Sequence, residues 1–203
     1  MRILLVIAGV LFFVTDSKAS TTVEVSYEEI EYEAIYNCRN KNWDDVDEKI
    51  IKTLIKVEKQ YNVPPKLRGM LLAAACSESG YNPFAKGDWR KRTRRGKKVK
   101  VPMAIGLFQM WPWWERAYKI DRNSIEPAAH AFMKHIVRQL KRIKCKWRKP
   151  HRRWVAAWVT AIRSPSKNGR CNQKPAHLKI LKKWHRSARD YRKNGCDSRP
   201  CGC

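Results

Sequence analysis

The chain has 203 residues, with 44 lysines and arginines against 18 aspartates and glutamates, a formal net charge of +26, and 43% hydrophobic residues. This composition excludes a collagen-like or low-complexity chain and a polytopic membrane protein, and it is too apolar for wholesale disorder. The length suits one domain with short additions, or at most two small ones.

The N-terminus opens with Met1-Arg2 and an apolar run from Ile3 to Val14, and Ser17-Lys18-Ala19 then offers the small residues that a signal peptidase reads. The pattern predicts a secretory signal at 1–19, cut after Ala19. A membrane anchor needs ~20 apolar residues, and this run has 12. The expected location is secreted or periplasmic, with no transmembrane segment after cleavage. Export makes disulfides permissible. All seven cysteines lie beyond the cut: Cys38, Cys76, Cys145, Cys171, Cys196, Cys201 and Cys203. An odd number leaves at least one thiol over, and the connectivity stays open. The tail at 193–203 lacks paired Cys-x-x-Cys spacing, so disulfides to Cys171 or Cys145 are expected there rather than a metal.

Residues 20–43 read as an acidic lead-in, with Glu28, Glu29, Glu31 and Glu33, either a solvated arm or a strap across the basic body. From Ser20 to Glu58 ten acids face five bases; from Lys59 onward seven acids face 37 bases. The densest basic run is 86–100, with nine lysines and arginines. Such a body calls for an anionic partner, and the run at 86–100 reads equally as a solvated surface loop. Exported polyanions include wall polymers, outer-leaflet lipid and extracellular nucleic acid, and the signal argues against a dedicated nucleic-acid partner.

A helix is expected over Asp44–Tyr61, where Val46, Ile50, Ile51, Leu54, Ile55, Val57 and Tyr61 follow a helical period. Pro64-Pro65 starts a second, from Lys66 to about Ser79, which Gly80 ends. A loop follows to about Ala104, with at most a short hairpin across the basic run. Further helices are expected at Pro127–Lys146, Arg152–Ala161 and Pro175–Arg192. The class is mainly α with at most a small β element.

Within the second helix, Leu67, Leu71, Ala74 and Glu78 fall within about 60° of one another. Glu78 therefore projects from an apolar stripe. Desolvation there favours the protonated acid and keeps it able to donate a proton. A helix end reaching solvent, or pairing with a basic neighbour, is the alternative reading of the same periodicity.

The segment Glu78-Ser79-Gly80-Tyr81-Asn82-Pro83, followed by Ala104-Ile105-Gly106-Leu107-Phe108-Gln109-Met110-Trp111-Pro112, resembles the soluble lytic transglycosylases of the lysozyme-like superfamily, which includes goose-type lysozymes. Their pattern is Glu-Ser-x-aromatic-Asn-Pro, then Gly-Leu-Met-Gln-x-x-Pro, then Ala-Tyr-Asn-Ala-Gly. Phe108 replaces the family Met, and Ala156-Ala157-Trp158-Val159-Thr160-Ala161 stands where the third segment would be. Trp158 can replace the ring of the family tyrosine but not its hydroxyl. The basic run lengthens the spacing between the first two motifs. The resemblance covers roughly Asp44 to Arg163.

The resemblance implies an α+β lysozyme-like domain over 44–192 with a substrate groove and the basic insertion 86–100. It implies cleavage of the β-1,4 bond between N-acetylmuramic acid and N-acetylglucosamine, with no cofactor and no metal. Most glycosidases use two carboxylates, and few acids are present after Lys59. Glu78 is expected to act alone, first as acid and then as base on the muramoyl C6 hydroxyl, giving a 1,6-anhydro end. Ser79, Gln109, Met110, Trp111 and Trp158 are the candidate substrate-binding residues. Trp113 and Trp114 adjoin them, and at least one of these three consecutive-motif indoles (Trp111, Trp113, Trp114) should be buried. His135 and Gln139 read as an internal polar pair, and Cys76 as a bridge partner or small packed residue. The expected partners are peptidoglycan glycan strands and anionic wall polymers, bound by a monomer. Two alternatives remain open at this point: a hydrolytic lysozyme on the same fold, and a cationic non-enzymatic binder of wall polymer, membrane or nucleic acid.

Overall fold

A computed structural model describes residues 24–38, 48–94, 96–144, 149–162 and 174–194. The signal at 1–19, Arg95, the tail from 195 onward, and Cys145, Cys171, Cys196, Cys201 and Cys203 lie outside the described residues.

Of the acidic segment, residues 24–38 are described, and 27–37 form a helix packed into the body rather than a solvated arm. α1 (Tyr27–Asn37) opens on a capping box: Ser26 Oγ accepts from the Glu29 N–H, and Glu29 Oε2 accepts from the Ser26 N–H at 2.7 Å. Ile30 and Ala34 are fully buried. Arg192 pairs with Glu29 at 2.8 Å, and Arg68 pairs with Glu24 and donates to the Val25 carbonyl.

α2 (Glu48–Lys59) buries Ile50, Ile51, Leu54, Ile55 and Val57 and turns Lys52, Lys56 and Lys59 outward. That is the amphipathic stripe its sequence predicts. The next helix differs from expectation. It is broken into a 3₁₀ turn, Pro65–Leu67, and α3 (Met70–Ser79), with Gly69 between them at φ 83°. The cause is Glu58. It is 1% exposed, its Oε1 accepts from the Gly69 N–H at 2.6 Å, and its Oε2 accepts from the Leu71 N–H at 2.7 Å. The Tyr27 hydroxyl donates to Oε1 as well. This carboxylate serves as a remote cap for α3. Ile30 packs where a Cβ at position 69 would stand, so the position has room for glycine alone.

α3 is apolar on every side, and Met70 through Cys76 are all buried. It is the central element, packed against α1, α2 and α7. The basic run forms a longer hairpin than the sequence suggests: β1 (Lys86–Arg94) pairs antiparallel with β2 (Lys97–Ile105), from Lys86 opposite Ile105 to Arg94 opposite Lys97. α4 (Trp113–Tyr118), α5 (Ile125–Arg142), α6 (Pro150–Ile162) and α7 (His177–Lys193) complete the frame. α5 lies against α2 and α6, and α7 against α1 and α3. The result is a mainly helical fold with a small two-stranded β element. Among the described residues, no helix is long and apolar enough to cross a membrane.

Cys38, at the end of α1, and Cys76, in α3, form a disulfide across 38 residues of chain. Closing a loop of that size restricts the unfolded chain by about 4 kcal/mol in the entropic treatment. The double variant Cys38→Ala/Cys76→Ala should lose roughly 2–5 kcal/mol of unfolding free energy, read by urea titration; an unchanged midpoint would contradict the tether. A second test concerns Glu58. Burial pushes its carboxyl up from 4.5 to about 7, against the opposing pull of its three donors. A raised folded value means the folded state holds the proton more tightly. The contribution of Glu58 to stability should then be fullest below about 4.5, decline as pH rises, and level off above about 7. Glu58→Gln should flatten that decline across the same window in thermal melts, even where it lowers the absolute melting temperature.

Candidate active site

The last turn of α3 is where the buried helix reaches the surface. Ser77, Glu78 and Ser79 are each half-buried, unlike the seven residues before them. Gly80 closes the helix at φ 59°, its N–H bonded to the Cys76 carbonyl at 3.0 Å. Tyr81 follows, fully buried at φ 66°. Asn82 Oδ1 then accepts from the Phe84 N–H at 2.8 Å, an Asx turn that sends the chain into β1.

The second motif forms the facing wall. Ile105 and Met110 exchange backbone hydrogen bonds at 3.1 and 2.9 Å, folding Gly106 to Gln109 into a tight turn. The Gly106 N–H reaches the Ala85 carbonyl at 3.0 Å. Arg122, 8% exposed, fixes this turn to the hairpin through Nη1, which donates to the Met103 and Met110 carbonyls at 2.8 Å each, while Nε pairs with Glu115 at 2.9 Å. Ser79 Oγ is placed to donate to the Ala75 and Leu107 carbonyls at 3.1 and 2.9 Å, so its hydroxyl joins the two motifs.

Between the walls lies a cleft of about 360 Å³, lined by Glu78, Ser79, Asn82, Lys86 and Gln109 among others. Glu78 retains 28% side-chain exposure. His177, the first residue of α7, sets Nε2 2.7 Å from Glu78 Oε1. The imidazole is 4% exposed, and it stacks on Trp158 with ring centroids 5.7 Å apart and planes 29° from parallel. Among the described residues, buried His177 Nδ1 has no hydrogen-bond partner. A bare lone pair there costs less than an unpaired N–H, which favours a proton on Nε2, donated to Glu78 Oε1. Among the described residues no hydrogen bond of the chain engages Glu78 Oε2.

Glu78, Ser79 and Gln109 thus meet in one cleft. Gln109 sits at φ 44°, its Nε2 donating to the Gly106 carbonyl at 3.0 Å. Met110 is 1% exposed and belongs to the core rather than the cleft wall. Trp158 is fully buried and backs His177, so its ring does not offer a sugar platform. Trp111 stands beside the hairpin, its Nε1 donating to Asp88 Oδ2 at 3.0 Å and Arg90 lying over its ring. Of the neighbouring indoles, Trp114 is buried and Trp113 is exposed. His135 is an internal group, held between the Tyr118 hydroxyl at 2.7 Å and Gln139 at 3.2 Å, and burial lowers its pKa to about 4.

His177 is the partner that sequence reasoning missed. It lies 99 residues from Glu78, and no local pattern ties the two. A larger cavity, about 540 Å³, lies beside α2 and α5 and is lined by Tyr61, Tyr118, His130 and Lys134. It holds neither motif, and its Tyr61 hydroxyl is already bonded to His130 Nδ1 at 2.9 Å. The smaller cleft is where the chemistry-bearing residues converge. Among the described residues, no three His, Cys, Asp or Glu side chains gather into a group that could hold a metal ion.

Two glycines frame Gln109 differently. A Cβ at Gly106, itself at φ 78°, would collide with the Arg122 carbonyl, whereas a Cβ at Gly87 would meet only the movable Gln109 Oε1, at 2.5 Å. Gly106→Ala should cost about 1–3 kcal/mol in denaturant titrations. Gly87→Ala should leave stability nearly unchanged and shift the Gln109 side-chain amide resonances; the reverse order of effects would contradict this packing.

No known protein family, no curated protein and no solved structure matches this chain.

Proposed function

We propose that the chain is an exported peptidoglycan-cleaving enzyme of lysozyme-like fold that cuts the bond between N-acetylmuramic acid and N-acetylglucosamine, with Glu78 as its acid and base. The observation that carries this reading is Glu78 itself. A carboxyl group leaves an otherwise buried helix at the floor of a cleft, opposite Gln109, with one oxygen held by an imidazole. Among the described residues that line the cleft, Glu78 is the one carboxyl. The nearest hairpin acid, Asp88, accepts from Trp111. A scheme with a single acid suits that arrangement.

His177 supplies what the missing family tyrosine would have supplied, a hydrogen bond to the catalytic carboxyl. With Oε1 accepting from Nε2–H, the acid proton sits on Oε2. It passes to the glycosidic oxygen as the bond to the muramoyl C1 breaks. The carboxylate left behind keeps its Nε2–H bond, then removes the proton of the muramoyl C6 hydroxyl as that oxygen closes on C1. The nucleophile belongs to the substrate, and the product is a 1,6-anhydro end. Gln109 is placed to hydrogen-bond a sugar amide across the cleft. The Cys38–Cys76 disulfide and the signal pattern both suit an oxidising compartment outside the cytosol.

Mass spectrometry of glycan strands digested by the protein tests the reading. Anhydro ends are expected; reducing ends would mean hydrolysis, and intact strands would remove the enzymatic reading altogether. Glu78→Gln should lower the rate by about 10²–10⁴-fold. His177→Phe keeps the stacking on Trp158 but loses the donor. Losing one hydrogen bond to a charged group, about 1.5–3 kcal/mol, should slow kcat roughly 10- to 100-fold with KM little changed. His177→Gln should restore part of it, and equal loss in both variants would count against the hydrogen bond.

A further inference from the structure

Apart from Arg90, which lies over the Trp111 ring, the fold makes little use of the hairpin's charge among the described residues. Every residue of β1 from Asp88 to Thr93 is exposed, as are Lys97, Lys98 and Lys100 of β2. Among the described residues, no ion pair engages a hairpin lysine or arginine. The pairing also sets Lys91 directly opposite Lys100 and Lys98 opposite Thr93. Like charges directly across a ribbon repel and weaken it, so the arrangement costs stability unless an anion lies over it.

The same side carries Trp89, two residues before Lys91 and opposite Pro102, with 55% of its surface open. Side chains on one face of a strand recur every two residues, about 6.7 Å. That step is close to the separation of successive phosphates along an extended phosphodiester chain. The ribbon is also rooted in the cleft: Lys86 lines it, and Gly87 lies against Gln109 Oε1. A polymer tethered to a glycan strand in the cleft would therefore run out along the ribbon.

We propose that the β1–β2 hairpin is a docking surface for the phosphodiester backbone of an anionic wall polymer of the poly(glycerol phosphate) type. Lys91, Lys98 and Lys100 neutralise its phosphates, and Trp89 packs on its carbon units. The choice of polymer rests on the reading of the cleft as a wall-glycan site; the phosphate recognition rests on the ribbon alone.

Calorimetric titration of the full-length protein with purified poly(glycerol phosphate) tests this without any cleavage. Lys91→Gln/Lys98→Gln/Lys100→Gln should weaken binding at least about tenfold and reduce the slope of log affinity against log salt by about 2. Lys182→Gln/Lys183→Gln/Arg186→Gln, which removes the same charge from α7, should bind like the parent. Trp89→Ala should weaken binding several-fold. Equal losses in the two triple variants would reduce the effect to net charge and overturn the proposal. So would tighter binding of the parent to a single-stranded oligonucleotide of equal charge, or to vesicles of anionic lipid. Glu78→Gln should bind the polymer normally, so a failure of docking and a failure of the glycan-cleaving reading are told apart.

Discussion

The geometry of the cleft depends on a carboxyl group that never touches it. Glu58, buried at the end of α2, takes the N–H groups of Gly69 and Leu71 and the hydroxyl of Tyr27. Three segments are joined by one side chain. The bond to Gly69 turns the chain out of the helical path that its sequence would otherwise follow, and α3 starts afresh at Met70. The direction of α3 decides where its last turn surfaces. Burial of a group that would rather be hydrated is expensive, and here it is offset by donors that the start of a helix leaves unpaired in any case.

At its other end α3 is fixed by quite different means. Ser79 ties it to the Leu107 carbonyl, Gly80 ends it, and Cys76 is bonded to Cys38 one half-turn before the acid. A helix held this firmly at both ends presents Glu78 with little freedom, which suits the acid role proposed for it. The imidazole that meets Glu78 is held just as closely, since Trp158 blocks one face of it and α7 carries its backbone. The large buried indole at position 158 therefore acts through its neighbour.

Much of this frame is legible in the sequence. Helical periodicity locates α2, α5, α6 and α7 to within a few residues, because each carries an apolar stripe with polar residues opposite. The two short motifs lie on one cleft, Glu78 in the last turn of α3 before Gly80 and Gln109 in the turn that Gly106 opens. The rest depends on tertiary contacts that no window of sequence contains. α1 escapes notice because its sequence is mostly charged and aromatic, and it buries Glu33 along with Ile30 and Ala34. The break at Gly69 is imposed by a side chain eleven residues earlier. The hairpin is obscured because its strands lack the apolar alternation that marks a half-buried strand. Met110 and Trp158 look like cleft residues by their place beside motifs, but packing turns them inward.

The distance in sequence between Glu78 and His177 has a consequence for biosynthesis. A ribosome makes the chain from its N-terminus, so the acid, its helix and both walls exist well before the imidazole does. The contacts spanning 99 residues, and 168 between Arg192 and Glu24, need segments made late in synthesis. A nascent or truncated chain would hold Glu78 without its imidazole partner, which the last of the described helices brings.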